Sequence, residues 1–313
     1  MSTVHTGGVV SIGECMLELS EPAGVSGDAH LRLRFGGDTL NTAIYMARQS
    51  VPVSYITALG DDRHSDWLIE QWRKEAIDVS HVERLPGRRP GLYWIKTDEQ
   101  GEREFAYWRA EAPVRQLLDD RDRVARVQAA VAGASFVYLS GITLSLFDDV
   151  AWGVLLELLS TASDAGVTVC FDGNYRPAGW VSKSQAKERF ESLYPYLAIV
   201  LPTFDDERLL FGDESPETTL TRLASYGIAE IVVKDGPAGC LVGHGGDQFW
   251  VAVPKAITPV DTTSAGDSFN AGYLAARYLG LAPVAAASRG HNLAAVVISH
   301  RGAIVPKASM KHL

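Results

Sequence analysis

Residues 261–272 have the sequence Asp261-Thr262-Thr263-Ser264-Ala265-Gly266-Asp267-Ser268-Phe269-Asn270-Ala271-Gly272, a loop of polar and small residues that runs directly into an apolar helix. Thr263 and Ser264 are suited to capping this helix, and Gly266 lets a ligand approach the backbone. The free amides of a first helical turn bind anions, with help from the helix dipole. Asp267 in this turn either stabilises the dipole or takes a proton from a nucleophile held beside the anion. Taken alone, the segment also fits an ordinary capped helix.

A second junction between a loop and a helix lies near the start of the chain, at Gly36-Gly37-Asp38-Thr39-Leu40-Asn41. The two glycines allow close approach to the backbone, and the side chains of Asp38 and Asn41 offer hydrogen bonds to a polyhydroxy ligand. Taken alone, this motif fits a simple turn and helix cap equally well.

Short apolar runs alternate with helical stretches along the chain. Strands are predicted at residues 9–12, 55–59, 136–139, 168–171, 199–201 and 231–233. Helices are predicted at residues 39–48, 150–163 and 186–194, followed by two long Ala-rich helices at 265–279 and 285–299. This alternation predicts an α/β fold with a parallel sheet covered by helices on both faces.

The composition is typical of one principal domain. The chain has 313 residues, of which 46% are hydrophobic and 21% charged, enough for one large core with a small accessory element. Cys15, Cys170 and Cys240 lie far apart, which argues against a disulfide framework or a zinc knuckle and favours a reducing compartment. Residues 1–8 lack a leader pattern and no run of 18 apolar residues occurs, so we expect a cytoplasmic protein.

The formal net charge of −9 predicts that the surface repels nucleic acids and anionic membranes, and no run of Lys and Arg offers an exception. We therefore expect neither kind of partner. An anionic small molecule would need a locally positive site, built from a few arginines or from backbone amides.

Taken together and in this order, the two junctions resemble the two signatures of the ribokinase-like (PfkB) carbohydrate kinases. The resemblance extends from about Val9 to Val305. It implies a single domain over residues 1–313, with a doubly wound sheet and a small β-sheet lid whose strands come from about 14–35 and 91–110. It also implies that Asp267 is the catalytic base, and that the amides of Ala265, Gly266 and Asp267 form an anion hole suited to phosphoryl transfer. No GxxxxGK[ST] segment is present, which excludes a P-loop enzyme.

The same resemblance implies that ATP and Mg²⁺ are the cofactors. The residues implied in nucleotide binding are Lys234, Gly236 and Gly239 in a loop after a strand, Ser264, Ala265 and Gly266 at the helix start, and Asn292 near the adenine. A plain β-turn is the alternative for the loop at residues 234–239. His291, next to Asn292, is predicted to be a packing residue.

Two positions depart from the family's pattern. Many members carry Asn-x-x-Glu where this chain has Thr203-Phe204-Asp205-Asp206, so the acid that helps to organise magnesium is either Asp206 or Glu207. We expect their role to be indirect, because Mg²⁺ is held mostly by phosphates and water. Ser264 stands where relatives often have glycine, although a serine can still cap a helix.

The substrate is indicated by a predicted aromatic hairpin, with strands at residues 92–97 and 104–109 and a turn at 98–101. Because side chains alternate along a strand, Tyr107 and Arg109 are expected on one face. Arg176 follows a predicted strand, at the carboxyl edge where α/β sheets bind ligands. Arginine forms bidentate hydrogen bonds with carboxylates, so two arginines favour an acid over a neutral sugar as the substrate.

These segments, with residues 13–16 and the glycine junction, resemble the 2-keto-3-deoxygluconate kinases within the family. The resemblance implies phosphorylation of the C6 hydroxyl to give 2-keto-3-deoxy-6-phosphogluconate and ADP. The residues expected to bind the substrate are Gly36, Gly37, Asp38, Asn41, Tyr93, Tyr107, Arg109, Arg176 and Asp267.

Alternatives remain at this point. Tyr93 also fits cross-strand packing, and Arg109 and Arg176 also fit surface or phosphate-facing positions. The chain could instead phosphorylate fructose or 2-ketogluconate, or be a non-catalytic sensor of sugar acids. We also expect a homo-oligomer formed through the lid, because an exposed aromatic strand favours association.

Overall fold

The computed structural model describes residues 7–20, 31–97, 103–254 and 257–310. The predicted turn at residues 98–101 and the middle of the predicted lid segment 14–35 lie outside these ranges. The strands in the described ranges are β1 (Val9–Ile12), β2 (Met16–Ser20), β3 (Arg32–Gly36), β4 (Val53–Gly60), β5 (Ile77–Asp78), β6 (Val82–Leu85), β7 (Gly91–Thr97), β8 (Arg103–Trp108), β9 (Phe136–Ser140), β10 (Thr168–Asp172), β11 (Ile199–Val200), β12 (Glu230–Asp235), β13 (Gly239–His244) and β14 (Asp247–Val251).

The helices in the same ranges flank these strands along the chain. They are α1 (Asp38–Ala47), α2 (Arg63–Lys74), α3 (Arg121–Ala132), α4 (Gly141–Leu144), α5 (Asp149–Asp164), α6 (Lys183–Leu193), α7 (Phe204–Phe211), α8 (Pro216–Ala224), α9 (Ala265–Tyr278) and α10 (Pro283–Ile298). None of them has both the length and the apolar character that crossing a bilayer requires.

The large sheet has the strand order β14-β13-β12-β11-β10-β9-β1-β4-β5, with β6 pairing beside β4. From β12 to β5 all neighbouring strands are parallel, which confirms the predicted parallel sheet. Strands β13 and β14 are antiparallel and form one edge. They were not predicted, although their two-residue connection, Gly245-Gly246, is a strong hairpin signal, with both φ angles positive.

Side chains of the central strands alternate between two hydrophobic clusters, one on each face of the sheet. In β9, Val137 and Leu139 belong to one cluster, and Phe136 and Tyr138 to the other. The first cluster contains buried residues of α3, α5, α6 and α8, and the second those of α1, α2, α9 and α10. Helices therefore cover both faces, as expected for a doubly wound sheet.

A second, four-stranded sheet has the order β3-β2-β7-β8. Its central pair, β2 and β7, is parallel, and the two outer pairs are antiparallel. The predicted hairpin forms the pair β7 and β8. Leu33, Phe105 and Trp108 of this sheet have exposed side chains.

Helices α9 and α10 pack with their backbones in close contact. An added Cβ at Gly272 would lie 2.8 Å from the Arg289 carbonyl oxygen, and one at Gly290 would lie 2.9 Å from the Phe269 carbonyl oxygen. Only glycine fits such positions without displacement of the partner backbone. The packing fixes the start of α9 relative to α10.

All three cysteines are free and buried. Cys15 precedes β2, Cys170 lies in β10, and Cys240 lies in β13. Burial raises the pKa of each thiol above its ordinary value. Buried, protonated thiols of this kind are chemically inert in the folded protein.

Candidate active site

Asp267 lies in the first turn of α9, where two side chains hold its carboxylate. Asn41 Nδ2, from α1, donates to Asp267 Oδ2 at 2.9 Å, and Ser264 Oγ donates to the same oxygen at 2.9 Å. Thr42 Oγ1 lies 3.1 Å from the main-chain oxygen of Asp267. The two loop-to-helix junctions of the sequence therefore meet at this carboxylate.

The pKa of Asp267 is raised to about 7. Burial is the largest cause, and the negative charge of Asp38 adds to it, while the hydrogen bonds from Asn41 and Ser264 oppose the rise. A carboxylate with a pKa near neutrality is well matched to accepting a proton from a hydroxyl group.

Ser264 is the N-cap of α9 and adopts a left-handed conformation, with φ at 63°. This conformation costs a non-glycine residue about 1 kcal/mol, which gives a physical reason why glycine is favoured at this position. The serine does not cap the helix through its side chain. Its hydroxyl instead holds Asp267.

The amides at the start of α9 are not equivalent. The amide of Ala265 donates to the Thr262 carbonyl oxygen at 3.1 Å, so the turn already uses one of the three predicted anion-hole donors. Helix geometry leaves the amides of Gly266 and Asp267 without an intrahelical acceptor. These two amides are the ones suited to binding an anion.

A cavity of about 500 Å³ opens beside Asp267, between the four-stranded sheet and the carboxyl edge of the large sheet. We call it the acceptor cavity. Most of the predicted site residues line it: Gly36, Gly37, Asp38, Asn41, Tyr93, Tyr107, Arg176, Asp206, Lys234, Ser264, Ala265, Gly266 and Asp267. Asp172, Asn174 and Thr203 line it too and were not singled out from the sequence.

Asp38 and Asn174 join α1 to the end of β10 across the acceptor cavity. Asn174 Nδ2 donates to Asp38 Oδ2 at 2.8 Å. Burial raises the pKa of Asp38, and the nearby charge of Asp172 acts in the same direction. The sequence signal for Asn174 was its place two residues after the end of β10, at the ligand-binding edge of the sheet.

Tyr93 and Tyr107 form the wall that the four-stranded sheet contributes. Their ring centroids are 6.0 Å apart. The Tyr93 hydroxyl donates to Glu18 Oε2 at 2.5 Å, and an added Cβ at Gly36 would lie 2.7 Å from that hydroxyl. Gly36 therefore makes room for the tyrosine.

The two predicted arginines lie in different places. Arg176 lines the acceptor cavity, where its Nη1 lies 3.0 Å from Asp206 Oδ1. Arg109 lies one residue beyond the end of β8 and forms an ion pair with the buried Glu14. It lines a neighbouring cavity of about 520 Å³, which Tyr107 also lines. The structure thus brings only Arg176 into the acceptor cavity, because Glu14 holds Arg109 beside it.

A largely apolar cavity of about 570 Å³ lies on the other side of the α9 start. We call it the donor cavity. Lys234, Gly236 and Gly239, which the resemblance implied in nucleotide binding, line it together with Phe269 and residues of α10. Its apolar walls, and Lys234 as the one lysine among the described residues that line it, suit a molecule with a flat apolar part and an anionic end.

Residues of α10 contribute to this cavity from one helical face. His291, Ala294, Ala295 and Ile298 line it, whereas Asn292 is exposed and does not. One residue along a helix turns the side chain by about 100°, which explains why Asn292 is not brought to the cavity. His291 packs against Phe269, as predicted, with ring centroids 5.0 Å apart, and it also lines the cavity.

The two cavities meet at the start of α9. Thr203, Lys234, Thr262, Ala265 and Gly266 line both. Asp267 lies on the acceptor side of this junction. A carboxylate of near-neutral pKa, the amides of the first turn of α9 and Lys234 therefore lie where a molecule bound in one cavity would contact a molecule bound in the other.

Neither predicted magnesium residue is part of a metal-binding cluster. Among the described residues, no group of three or more His, Cys, Asp or Glu side chains could hold a metal ion. Asp206 lines the acceptor cavity, but Glu207 is buried and accepts from Arg222 Nη2 at 2.6 Å. Burial raises the pKa of Glu207 to about 7 against the opposing charge of Arg222. Glu207 therefore belongs to an ion cluster outside both cavities.

Curated proteins of known name resemble this chain over nearly its whole length. The 2-dehydro-3-deoxygluconokinase of Escherichia coli K12 is 42% identical over 310 residues, which cover 96% of this chain and 98% of that protein. The enzyme of the same name from Dickeya dadantii is 40% identical, covering 97% of this chain and 99% of that protein.

Solved structures share the fold. A PfkB protein from Polaromonas sp. JS666 matches with a TM-score of 0.82 at 24% identity, covering 93% of this chain and 95% of that one. A 2-dehydro-3-deoxygluconokinase from Thermotoga maritima matches with a TM-score of 0.81 at 21% identity, covering 95% and 94%. The sequence profile of the pfkB family carbohydrate kinases matches residues 7–310. This chain therefore belongs to the pfkB family of carbohydrate kinases.

Proposed function

We propose that the protein transfers the γ-phosphoryl group of ATP to the C6 hydroxyl of 2-keto-3-deoxygluconate, also called 2-dehydro-3-deoxygluconate. The products are ADP and 2-keto-3-deoxy-6-phosphogluconate. The observation that carries the proposal is the position of Asp267, whose carboxylate has a pKa of about 7 and lies where the acceptor and donor cavities meet.

Asp267 acts as the general base in this mechanism. Its Oδ2 accepts the hydrogen bonds from Asn41 and Ser264, so Oδ1 is the oxygen that takes the proton of the C6 hydroxyl. A bond forms between that hydroxyl oxygen and the γ-phosphorus, while the bond from the γ-phosphorus to the bridging oxygen of ADP breaks. The amides of Gly266 and Asp267 stabilise the charge that spreads over the transferred group.

The donor cavity is the proposed nucleotide site. Its apolar walls suit the adenine ring, and the loop with Lys234, Gly236 and Gly239 approaches the phosphates. Mg²⁺ would enter with ATP, held mainly by phosphates and water, and would neutralise phosphate charge. Asp206 lines the acceptor cavity near Arg176 and Lys234, and we assign it the indirect role in magnesium binding.

The acceptor cavity is the proposed sugar-acid site. Its glycines, Asp38 and Asn41 bind hydroxyl groups, and Tyr93 and Tyr107 enclose the carbon chain. Arg176 binds the carboxylate end, with Arg109 contributing from its position beside the cavity. The relatives that are 40–42% identical carry the name of this activity, which supports the choice of acid.

The pairing of both arginines favours a second candidate, a kinase for a neutral sugar such as fructose. Arg176 is paired with Asp206, and Arg109 with Glu14. A carboxylate substrate must compete with Asp206 for Arg176, whereas a neutral sugar need not.

A substrate panel distinguishes the two candidates. ADP release is measured with ATP, Mg²⁺ and 2-keto-3-deoxygluconate, and in parallel with fructose, ribose, gluconate and 2-ketogluconate. We expect the deoxy keto acid to have the highest kcat/KM. Arg176→Met should then raise its KM about tenfold or more, the usual effect of losing a charge-assisted contact. Fructose as the best acceptor would refute the acid assignment, and turnover of no acceptor would favour the sensor alternative.

We propose in addition that the four-stranded sheet acts as a lid over the acceptor cavity within one domain. The exposed side chains of Leu33, Phe105 and Trp108 support association of two such sheets into a homo-oligomer. Sedimentation of the protein and of a Trp108→Lys variant tests this association. The proposal predicts an oligomer that the variant dissociates, and a monomeric parent protein would contradict it.

A further inference from the structure

We propose that Lys234 is a catalytic residue that contacts the phosphoryl group during its transfer, and that Asp172 and Asn270 are the positioning residues that aim it. This inference rests on the proposed kinase function and specifies a role that goes beyond binding of the nucleotide. It is carried by a closed triangle of three buried polar side chains.

Each side of the triangle is a hydrogen bond. Lys234 Nζ donates to Asp172 Oδ1 at 3.1 Å and to Asn270 Oδ1 at 3.0 Å. Asn270 Nδ2 donates to Asp172 Oδ2 at 2.8 Å. The three residues come from β12, from the end of β10 and from α9, so three elements of the fold fix one ammonium group.

A lysine ammonium has three N–H donors. Asp172 and Asn270 accept hydrogen bonds from two of them. Lys234 lines both cavities, so its third N–H is available to a group bound where the cavities meet. An added Cβ at Gly266 would lie 3.7 Å from Lys234 Nζ. The ammonium group therefore lies close to Gly266 in the first turn of α9, whose amides are proposed to bind the transferred group.

The charge balance indicates that this contact affects the transition state more than ATP binding. Asp172 offsets the positive charge of Lys234, so the pair adds little long-range attraction for ATP. A fixed N–H donor at short range still stabilises charge that develops on the transferred group, because it needs no reorientation during the reaction. An interaction that is stronger in the transition state raises kcat without lowering KM.

The test compares Lys234→Met with the parent enzyme and with Lys183→Met, which removes an exposed lysine at the start of α6. Because methionine leaves the Asp172 carboxylate without its cation, Lys234→Met/Asp172→Asn is measured as a second variant, and thermal melting verifies folding. The acceptor is whichever sugar of the panel the parent enzyme phosphorylates best.

We expect both Lys234 variants to lose about 100-fold in kcat, the usual cost of removing one preorganised donor. Affinity for ADP should stay within about threefold, since the loss is confined to the transition state. Affinity for ADP with Mg²⁺ and aluminium fluoride, a mimic of the transferred group, measured with acceptor present, should fall in parallel with kcat. Lys183→Met should match the parent enzyme.

Asn270→Ala tests the positioning role. It keeps Lys234 but removes one of its two anchors, so kcat and aluminium fluoride affinity should fall together, by less than in Lys234→Met, with ADP affinity unchanged. Parent-like kcat in the Lys234 variants, or equal losses for ADP and for its aluminium fluoride complex, would overturn the inference. A parent enzyme that turns over no sugar would refute the proposed function itself, before any variant is compared.

Discussion

Asn41 Nδ2 and Asp267 Oδ2 are joined by a hydrogen bond of 2.9 Å, although the two residues lie 226 positions apart in the chain. One residue belongs to the first loop-to-helix junction and the other to the second. The bond couples α1, at the proposed sugar site, to the carboxylate that we propose as the general base. Predictions about the reaction follow from the surroundings of this carboxylate.

Asp267→Asn should cut kcat by about 100-fold or more, which is the usual size of a general-base effect. ATP affinity should remain nearly unchanged, because Asp267 lines the acceptor cavity and not the donor cavity. Steady-state kinetics and calorimetric titration with a non-hydrolysable ATP analogue measure the two quantities. Turnover close to that of the parent enzyme would remove Asp267 from the role of base.

The pH dependence of turnover should report the raised pKa of Asp267. Because the base must be ionised, kcat/KM should fall tenfold per pH unit below about pH 7, the pKa of this carboxyl group. In Ser264→Gly, the carboxylate loses a hydrogen bond that lowers its pKa, so the acid limb should move to higher pH. Glycine fits the left-handed φ of 63°, so the variant should fold at least as stably. An acid limb that stays in place would contradict this assignment.

Two neighbouring glycines should respond differently to alanine. At Gly36 the added Cβ would meet the Tyr93 hydroxyl at 2.7 Å, the far end of a side chain. At Gly37 it would meet the Glu14 main-chain oxygen at 2.1 Å, where the backbone itself must move. We expect Gly37→Ala to destabilise the fold by about 2 kcal/mol, a typical cost of overpacking, and Gly36→Ala by less. Denaturant unfolding of both variants measures the difference, and equal stabilities would contradict the prediction.

Arg109→Met should destabilise the fold by about 3 kcal/mol, because it leaves the Glu14 carboxylate buried without its partner. Burial already raises the pKa of Glu14, against the opposing charge of Arg109. Arg109→Met/Glu14→Gln should recover at least half of that loss, since the buried carboxylate charge is removed with its partner. Urea unfolding of the two variants measures the recovery, and a double variant no more stable than Arg109→Met would disprove the coupling.

Local patterns in the sequence predicted the parallel strands, the long helices and the aromatic hairpin. Each pattern is a regular spacing of apolar residues, which reflects the side chains of one element that face the core. The resemblance to the PfkB family and the fold class were both confirmed. The hairpin of β13 and β14 was missed, although Gly245-Gly246 marked it. Two consecutive glycines adopt the positive φ angles of such a turn without strain, so local sequence carries the signal for this hairpin.

The pairings around the cavities could not be predicted in the same way. Glu14 with Arg109, and Lys234 with Asp172 and Asn270, come from elements that only the tertiary fold brings together. Period-two alternation placed Arg109 on the face of Tyr107, but β8 ends at Trp108 and the rule stops applying there. Likewise, the position of Asn292 was inferred by resemblance, and the rotation of α10 turns this side chain away from the donor cavity.

The three buried thiols allow local opening of the folded protein to be measured. Cys15 lies at the base of the four-stranded sheet, Cys170 in the centre of the large sheet, and Cys240 beside the donor cavity wall formed by α10. A thiol-specific reagent can modify each cysteine only when its surroundings open. The order in which the three cysteines react would therefore show the order in which these three regions open, and no label has to be introduced.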